Sequence, residues 1–396
     1  MTEIERYVMP GLLRIKLGLL AACLFVVATN GFVIAGLLPV VAHDLHVQPQ
    51  TVGVTISVYA IVVAVASPAA SILLVRTPRV LVLAGGVLLV GIGTVVAVSA
   101  GGFPQFLVGR VVAALGGAAL VPAATAAAPT VLPPEQRGRA LAIAGLGFTL
   151  AVALGSPLGT ALASVGGWRL ALGALAVLAL VLAAAVALVV RGLPEPVRIP
   201  IAARFAPLGD RRVVLLLLTV VLVTAGFNVV YIYSSSVTHA ATGGDGVLLA
   251  ILLLVYGAAG VVGTTVAGRV TDRRGSGVVA VSAVAGQTVV LVLLAVVATS
   301  YVLDVPVFAL WGVAAFAVVV PVQHRLVGID PAAAGIVLSW YSTAMYIGIG
   351  LAPVIGAEAL GVGSQAVPVA GAIASVAGLG VLLLGMRARR SAVVAV

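Results

Sequence analysis

Charge is scarce in this sequence. Only 8% of its 396 residues are Asp, Glu, Lys or Arg, whereas 62% are hydrophobic and the mean hydropathy is +1.29. The charged residues stand in short groups, and twelve uncharged stretches separate them, at residues 17–43, 45–75, 80–109, 111–134, 140–168, 170–190, 213–244, 246–268, 275–303, 305–324, 331–357 and 359–386. A soluble domain is excluded, because each stretch has the roughly 20 residues of helix that a bilayer core requires.

Further absences narrow the class of membrane protein. The sequence has one cysteine, Cys23, and therefore no disulfide framework. It has no series of about ten-residue segments with alternating polarity, which excludes a transmembrane β-barrel. His43 and His46 have no third ligand nearby in the sequence, so we expect a solvated loop there and no metal or other cofactor. Because only helices and closed barrels satisfy the backbone in lipid, the sequence predicts an all-α polytopic membrane protein with twelve transmembrane helices.

The basic residues predict the orientation. When the connections are assigned alternately to two sides, with the N-terminus inside, every basic residue except Arg110 and Arg169 falls on the inner side. This bias follows the positive-inside rule, so we expect both termini to be cytoplasmic. It also accounts for the net charge of +10 without a nucleic-acid partner, since no connection combines a basic patch with interleaved aromatic residues.

The chain divides into halves of six spans each. The longest polar connection is rich in Pro and Arg and separates the sixth span from the seventh. We therefore expect an N-terminal six-helix bundle at 1–191, a cytoplasmic linker at 192–212 and a C-terminal six-helix bundle at 213–396. Related halves around a site at the membrane midplane are typical of secondary transporters.

The connection after the eighth span carries a charged motif, with Gly268-Arg269 followed by Asp272-Arg273. It resembles the signature of the major facilitator superfamily. The resemblance implies a twelve-helix major facilitator fold in two bundles, and it implies that Arg269, Asp272 and Arg273 form a latch on the inner face. The alternative is an ordinary charged turn.

Two intramembrane motifs extend the resemblance. Arg110 in the fourth span, after Gly109, is similar to the family's arginine-glycine motif. A charge at membrane depth costs ~2.5–3.5 kcal/mol or more, so it faces a cavity or a partner, unless it snorkels to water. The run Gly155-Ser-Pro157-Leu-Gly159 in the fifth span resembles the signature of the family's exporters and implies export. Static helix packing is the alternative for these glycines.

The first span indicates which subfamily of the superfamily the chain resembles. Its residues Thr29 to Pro39 are similar to those of the twelve-span drug:proton antiporters and sugar-efflux transporters of bacteria. Those relatives commonly carry an acid where this chain has Gly31, and no Asp or Glu stands in the middle of any span. We therefore expect proton coupling to use Glu358 or Asp44. An uncoupled facilitator is the alternative.

The expected cavity is amphipathic and nearly uncharged, which suits a neutral or lipophilic small molecule. The predicted substrate-binding residues are Asn30, Phe32, Tyr59, Asn228, Tyr231, Tyr233, Gln287, Trp340, Tyr341 and Tyr346. Helix packing or interface anchoring is the alternative for each of them. We expect a monomeric exporter of drug-like compounds or sugars in a bacterial inner membrane, working by alternating access. A membrane-embedded enzyme is less consistent with the sequence, which has no cluster of catalytic side chains.

Overall fold

The computed structural model describes residues 11–133, 136–193 and 200–394, apart from the side chains of 138, 201, 332 and 387–394. The helices are α1 Gly11–Asp44, α2 Pro49–Leu73, α3 Arg79–Val98, α4 Phe103–Val131, α5 Arg137–Leu150, α6 Ser156–Val189, α7 Ile201–Phe205, α8 Arg211–Ile232, α9 Ser234–Val237, α10 His239–Thr242, α11 Gly246–Arg274, α12 Ser276–Val297, α13 Tyr301–Ala317, α14 Val319–Val327, α15 Ala334–Val362 and α16 Ala366–Val394. A π-helical turn, Ala151–Gly155, joins α5 to α6. This is an all-helical membrane fold.

Eleven described helical segments have the length and composition to cross a membrane, and one of them, Arg139–Val189, is 51 residues long. Inside that segment Gly167 has a φ of +77° and a ψ of 166°, which is not helical. Such a φ favours glycine, since it has no Cβ to clash with the backbone. Gly167 therefore divides the segment into two crossings, residues 139–166 and 168–189, and the predicted twelve transmembrane helices are confirmed.

The ends of the bundle differ in charge. We call the end where α1 begins the basic end, because Arg79, Arg269 and Arg325 lie in connections or helix termini there, and the other end the opposite end. Asp210 caps α8 at the basic end, where its Oδ1 accepts from the Arg212 backbone nitrogen at 2.8 Å. The Arg212 side chain also holds the pKa of the Asp210 carboxyl below its usual value.

The halves pack together toward the opposite end. Gly350 of α15 lies against Ser57 of α2, and Gly257 of α11 lies against the backbone of Ala153. Near the same end, Gly246 lies against Ser164. Small residues allow this close approach where no water drives helices together.

At the basic end, the described residues connect the halves through the linker. Trp340 Nε1 of α15 donates to the Arg204 carbonyl at 2.8 Å, and the Phe205 ring lies edge-on to Trp340 at 5.4 Å. Arg204 Nη2 also approaches the Ser71 carbonyl of α2 at 3.5 Å. The molecule is therefore closed at the opposite end, with the linker between α2 and α15 at the basic end.

Candidate functional site at the centre of the bundle

A polar network surrounds Arg110 in the N-terminal half. Arg110 is only 2% exposed, and its Nη1 donates to the Asn30 backbone carbonyl at 2.7 Å and to Asn30 Oδ1 at 2.5 Å. Asn30 Nδ2 in turn donates to Thr94 Oγ1 at 2.7 Å, and the Thr94 hydroxyl donates to the Val90 carbonyl. The network joins α1, α3 and α4. Arg110 therefore does not snorkel to water, which was the alternative from the sequence.

Tyr59 of α2 completes the surroundings of the guanidinium. Arg110 Cζ lies 4.5 Å from the centroid of the Tyr59 ring, a distance at which a cation is attracted to an aromatic face. Gly31 is next to this pair, since a Cβ at Gly31 would lie 3.6 Å from Tyr59 Cε1. No carboxylate in the described residues forms an ion pair with Arg110. An amide, a hydroxyl and an aromatic ring therefore surround this buried cation.

The charge of Arg110 is strongly desolvated. Its Nε and Nη2 have no hydrogen-bond partner. The narrow void beside it, between α1, α3, α4 and α6, is at no point wide enough for a water molecule. Two glycines line this void, and both allow the α3 and α4 backbones to meet, Gly93 against Ala113 and Gly109 against Ala97. The arginine is thus held by tightly packed helices.

Aromatic side chains connect this region to the other half. The Phe32 ring lies 6.0 Å from Phe148 and 5.8 Å from Tyr231, edge-on in both cases. Tyr231 is 5.5 Å from Tyr256, which is 4.3 Å from Trp311. We call these five residues the aromatic ladder. It crosses between the halves at the Phe32–Tyr231 contact, and the Trp311 Nε1 is buried without a hydrogen-bond partner.

The sequence prediction placed Phe32 and Tyr231 in the site but left out Tyr256 and Trp311 as binding residues. Both are fully buried in the middle of apolar helices. The sequence offers one indication that these two residues belong to a site, namely an aromatic side chain in the middle of an apolar helix. That indication does not distinguish a binding site from helix packing.

Four predicted substrate-binding residues lie close to this centre. Asn30 and Tyr59 both contact Arg110, and Phe32, two residues after Asn30 in α1, contacts Tyr231. Asn228 is buried in α8, one turn before Ile232, and its Nδ2 donates to the Thr224 carbonyl of its own helix at 2.9 Å.

The remaining predicted binding residues have other contacts. Gln287 Nε2 bonds to Ser375 Oγ at 2.8 Å inside the C-terminal half, and the Tyr233 hydroxyl donates to the Pro353 carbonyl at 2.9 Å toward the opposite end. Trp340 packs on the linker, and Tyr341 is buried in a core of the C-terminal half. Tyr346 is buried in the core that both halves share, which also contains Tyr59 and Tyr233. Gln287, Trp340 and Tyr341 are therefore not brought together with Arg110.

The glycine-proline run lies where the halves meet. Gly155 packs on Thr29 and Gly159 on Val33, both in α1. Pro157 is buried in the first turn of α6, directly after the π-helical turn, which accommodates a backbone position that cannot donate a helical hydrogen bond. The run therefore shapes the contact of the fifth crossing with α1 and, through Ala153, with α11.

The predicted latch residues lie at the basic end of α11. Arg269, Asp272 and Arg273 are exposed, and no ion pair within 4.0 Å joins them among the described residues. The latch remains a prediction, and it concerns a conformation in which this end is closed.

The predicted coupling carboxylates lie at the opposite end. Asp44 forms an ion pair with Arg169 and accepts a hydrogen bond from Trp168 Nε1 at 3.0 Å. Arg169 Nη2 also donates to the Ala100 carbonyl at 2.9 Å, which explains why this arginine departs from the inner-side pattern. Glu358 is exposed near the end of α15.

Two six-helix halves, closed together at one end around a buried polar and aromatic centre, define a secondary transporter. The family model described as Major Facilitator Superfamily matches residues 20–353. The chain belongs to the Major Facilitator Superfamily and is a multi-pass membrane transporter, which excludes the membrane-enzyme alternative.

Known proteins agree with this assignment. An uncharacterized MFS-type transporter, YbcL of Bacillus subtilis, is 28% identical over 85% of this chain and 87% of its own length. A chloramphenicol resistance protein of Streptomyces lividans is 32% identical over 68% of this chain and 69% of its own. The crystal structure of a bacterial homologue of the human lysosomal transporter Spinster, inward-facing and occupied, matches with a TM-score of 0.75 at 17% identity, over 94% of this chain and 96% of that one.

Proposed function

We propose that this transporter exports small neutral or lipophilic molecules, drug-like compounds or sugars, by alternating access from the cytoplasm across a bacterial inner membrane. The basic end faces the cytoplasm under the positive-inside rule, and both termini lie there. The protein works as a monomer, with the substrate and protons as its partners. The observation that carries the proposal is the aromatic ladder across the two halves.

The ladder favours an amphipathic substrate of low charge. Phe32 and Phe148 are half-buried, and they offer edges and faces to an aromatic or lipophilic body. The buried Trp311 Nε1 has a hydrogen atom without an acceptor, which a carbonyl, nitro or hydroxyl oxygen of a ligand would satisfy. The name of the Streptomyces lividans relative is consistent with such a substrate.

A growth-inhibition panel tests the function. Cells with and without the protein are exposed to chloramphenicol, to other lipophilic antibiotics and to non-metabolised sugars. We expect resistance to at least one class, and we expect Trp311→Phe, which removes the Nε1 donor and keeps an aromatic ring, to shift the ranking of the compounds. Phe205→Leu, at the linker, is the matched aromatic control. Equal sensitivity of both strains to every compound, with the protein present in the membrane, would contradict the proposal.

Cysteine labelling tests the orientation. Ser364 is exposed at the opposite end and Ala202 is exposed in the linker. An impermeant thiol reagent applied to intact cells should label Ser364→Cys and spare Ala202→Cys, with Cys23 removed by Cys23→Ala. The reverse labelling would overturn the orientation.

A further inference from the structure

Asp304 is the one fully buried carboxylate in the described part of the chain. It lies in the first turn of α13 at the opposite end, with an exposed fraction of 0%. Neither Oδ1 nor Oδ2 has a hydrogen-bond partner, and no cation lies within ion-pair distance. Asp44, by contrast, is paired with Arg169, and Asp245 caps α11.

A carboxylate in this position is not stable as an anion. Burial of an ionised group removes its hydration. Without a hydrogen bond or a counter-charge to compensate for this loss, the protonated form of the group is favoured. The partial positive charge at the start of a helix favours an anion, but it offsets only a small part of that cost. Asp304 therefore binds a proton more tightly than an exposed carboxyl group does while its surroundings stay as they are here.

The helices packed against α13 supply no counter-charge. They are α10, α11, α12 and α14. Toward the opposite end and the middle of the bundle, these helices and α13 itself carry four other titratable side chains. They are His239, Asp245, Tyr256 and Tyr301. His239 and Asp245 are exposed, Tyr256 stacks on Trp311, and the Tyr301 hydroxyl donates to the Leu248 carbonyl. The remaining charged residues of these helices, on α11 and α14, lie at the basic end, and α12 has none.

The segment that packs beside α13 also contacts the other half at the opposite end. α10 packs against α13, and the neighbouring helix α9 packs against α1 of the other half. Tyr233, at the start of the same segment, lies against Gly53 of α2. Separation of the halves at this end would withdraw α1 and α2 from this segment, which continues into α10 beside the helix that carries Asp304.

We propose that Asp304 is a proton-binding site that is reached from the opposite end. It carries a proton while that end is closed, and it ionises when that end opens. The link to opening rests on the proposed alternating-access cycle, whereas the protonation in the closed state does not. Since the closed form binds the proton more tightly, acid on that side stabilises the closed form. A single proton changes the closed-to-open ratio by up to about tenfold per pH unit.

Infrared difference spectroscopy tests the protonation directly, without transport. The purified full-length protein in lipid should show a carbonyl band of a protonated carboxylic acid at about pH 5, where exposed carboxyl groups are mostly ionised. Asp304→Asn, which keeps the shape and removes the titration, should abolish the band, and Glu358→Gln, an exposed acid at the same end, should leave it. A wild-type spectrum without the band, or a band that persists in Asp304→Asn, overturns the proposal.

The link to opening is tested in the chain with its native Asp304. Ser57, 5% exposed between α2 and α15, is replaced by cysteine in a Cys23→Ala background, and an impermeant thiol reagent is applied at the opposite end of oriented proteoliposomes. The labelling rate of Ser57→Cys at each pH is divided by the labelling rate of the exposed Ser364→Cys at the same pH. This division corrects for the pH dependence of the thiol reaction itself. The corrected rate should fall by up to about tenfold per pH unit on acidification, and Asp304→Asn should remove this dependence.

A flat wild-type profile, or an unchanged profile in Asp304→Asn, overturns the link. Failure of every export assay with the infrared band and the pH profile intact would instead count against the proposed function, and the proton site would stand.

Discussion

The guanidinium of Arg110 donates from one nitrogen to both oxygens of Asn30, the backbone carbonyl at 2.7 Å and the amide Oδ1 at 2.5 Å. Charge-assisted bonds of this kind are roughly twice as strong as neutral ones. Arg110 has no carboxylate partner within ion-pair distance among the described side chains. Among the described residues, the two oxygens of Asn30 are therefore the hydrogen-bond acceptors of this buried cation.

We expect Asn30→Ala to lower the free energy of unfolding by about 1.5–3 kcal/mol, the usual range for a hydrogen bond to a charged group. The effect should shrink in an Arg110→Met background, where no charge is left to stabilise. Thermal unfolding in detergent measures both steps of this double-mutant cycle. Asn228→Ala is the matched control, because its amide bonds only within its own helix. Additive effects of the two substitutions would show that the contact contributes nothing specific.

The second prediction concerns the contact of Gly257 with the Ala153 backbone. A methyl group at Gly257 has no space there, and backbone atoms cannot give way as a flexible side chain can. We expect Gly257→Ala to disfavour closure of the opposite end, and to raise the labelling rate of Ser57→Cys from that side several-fold. Gly268→Ala lies on the same helix with nothing within 4 Å of the new methyl group, and it should leave the rate unchanged. Equal rates for both variants would place the closing contact elsewhere.

The sequence predicts where each membrane crossing lies along the chain, and the structure agrees. The sequence does not predict which side of each helix faces the centre of the bundle. The uncharged stretches predict the crossings, and Gly167 falls at the predicted boundary between the fifth and sixth. In a membrane, however, lipid and protein interior are both apolar, so the pattern of hydrophobic residues does not mark the side of a helix that faces the site.

Trp340 and Tyr256 illustrate this limit. Both are aromatic residues in apolar helices, yet Trp340 faces the linker and Tyr256 faces the ladder. Asn30 was predictable because a buried amide needs a partner, and Asp304 was missed because its position near a helix end suggested contact with water.

The third prediction concerns the charged motif at the basic end. Asp272 is exposed here, where that end is spanned by the linker, so the predicted latch would form in the opposite conformation. We expect Asp272→Asn to reduce transport far more than membrane expression, since a latch lost in one conformation shifts the equilibrium between two folded states. Asp330→Asn, another exposed acid at the same end, is the control. A parallel loss of transport and expression would mean that Asp272 serves folding only.

The fourth prediction concerns the missing acid at Gly31. The sequence predicts that proton coupling uses Asp44 or Glu358, and the double substitution Asp44→Asn with Glu358→Gln should then abolish uphill transport driven by a pH gradient in proteoliposomes and leave downhill exchange. Coupling through Asp304 instead predicts that uphill transport survives in this double variant. Breakage of the Asp44–Arg169 ion pair is a separate effect, so Arg169→Gln alone serves as its control. Uphill transport that survives in the double variant would exclude both acids, and a wild type indifferent to the gradient would favour the uncoupled facilitator.

Restoring the acid gives the complementary test. A Cβ at Gly31 meets only Tyr59 Cε1, at 3.6 Å, which is ordinary contact, so a side chain can be added there. Glutamate at this position would reach the neighbourhood of Arg110 and supply the absent counter-charge. We expect Gly31→Glu to raise thermal stability at neutral pH and to lose that gain on acidification, as the carboxylate that pairs with the cation becomes protonated. Gly31→Gln has the same size without the charge, and it should show neither effect. Equal behaviour of the two variants would mean that the amide of Asn30 and the ring of Tyr59 already satisfy Arg110 without an anion.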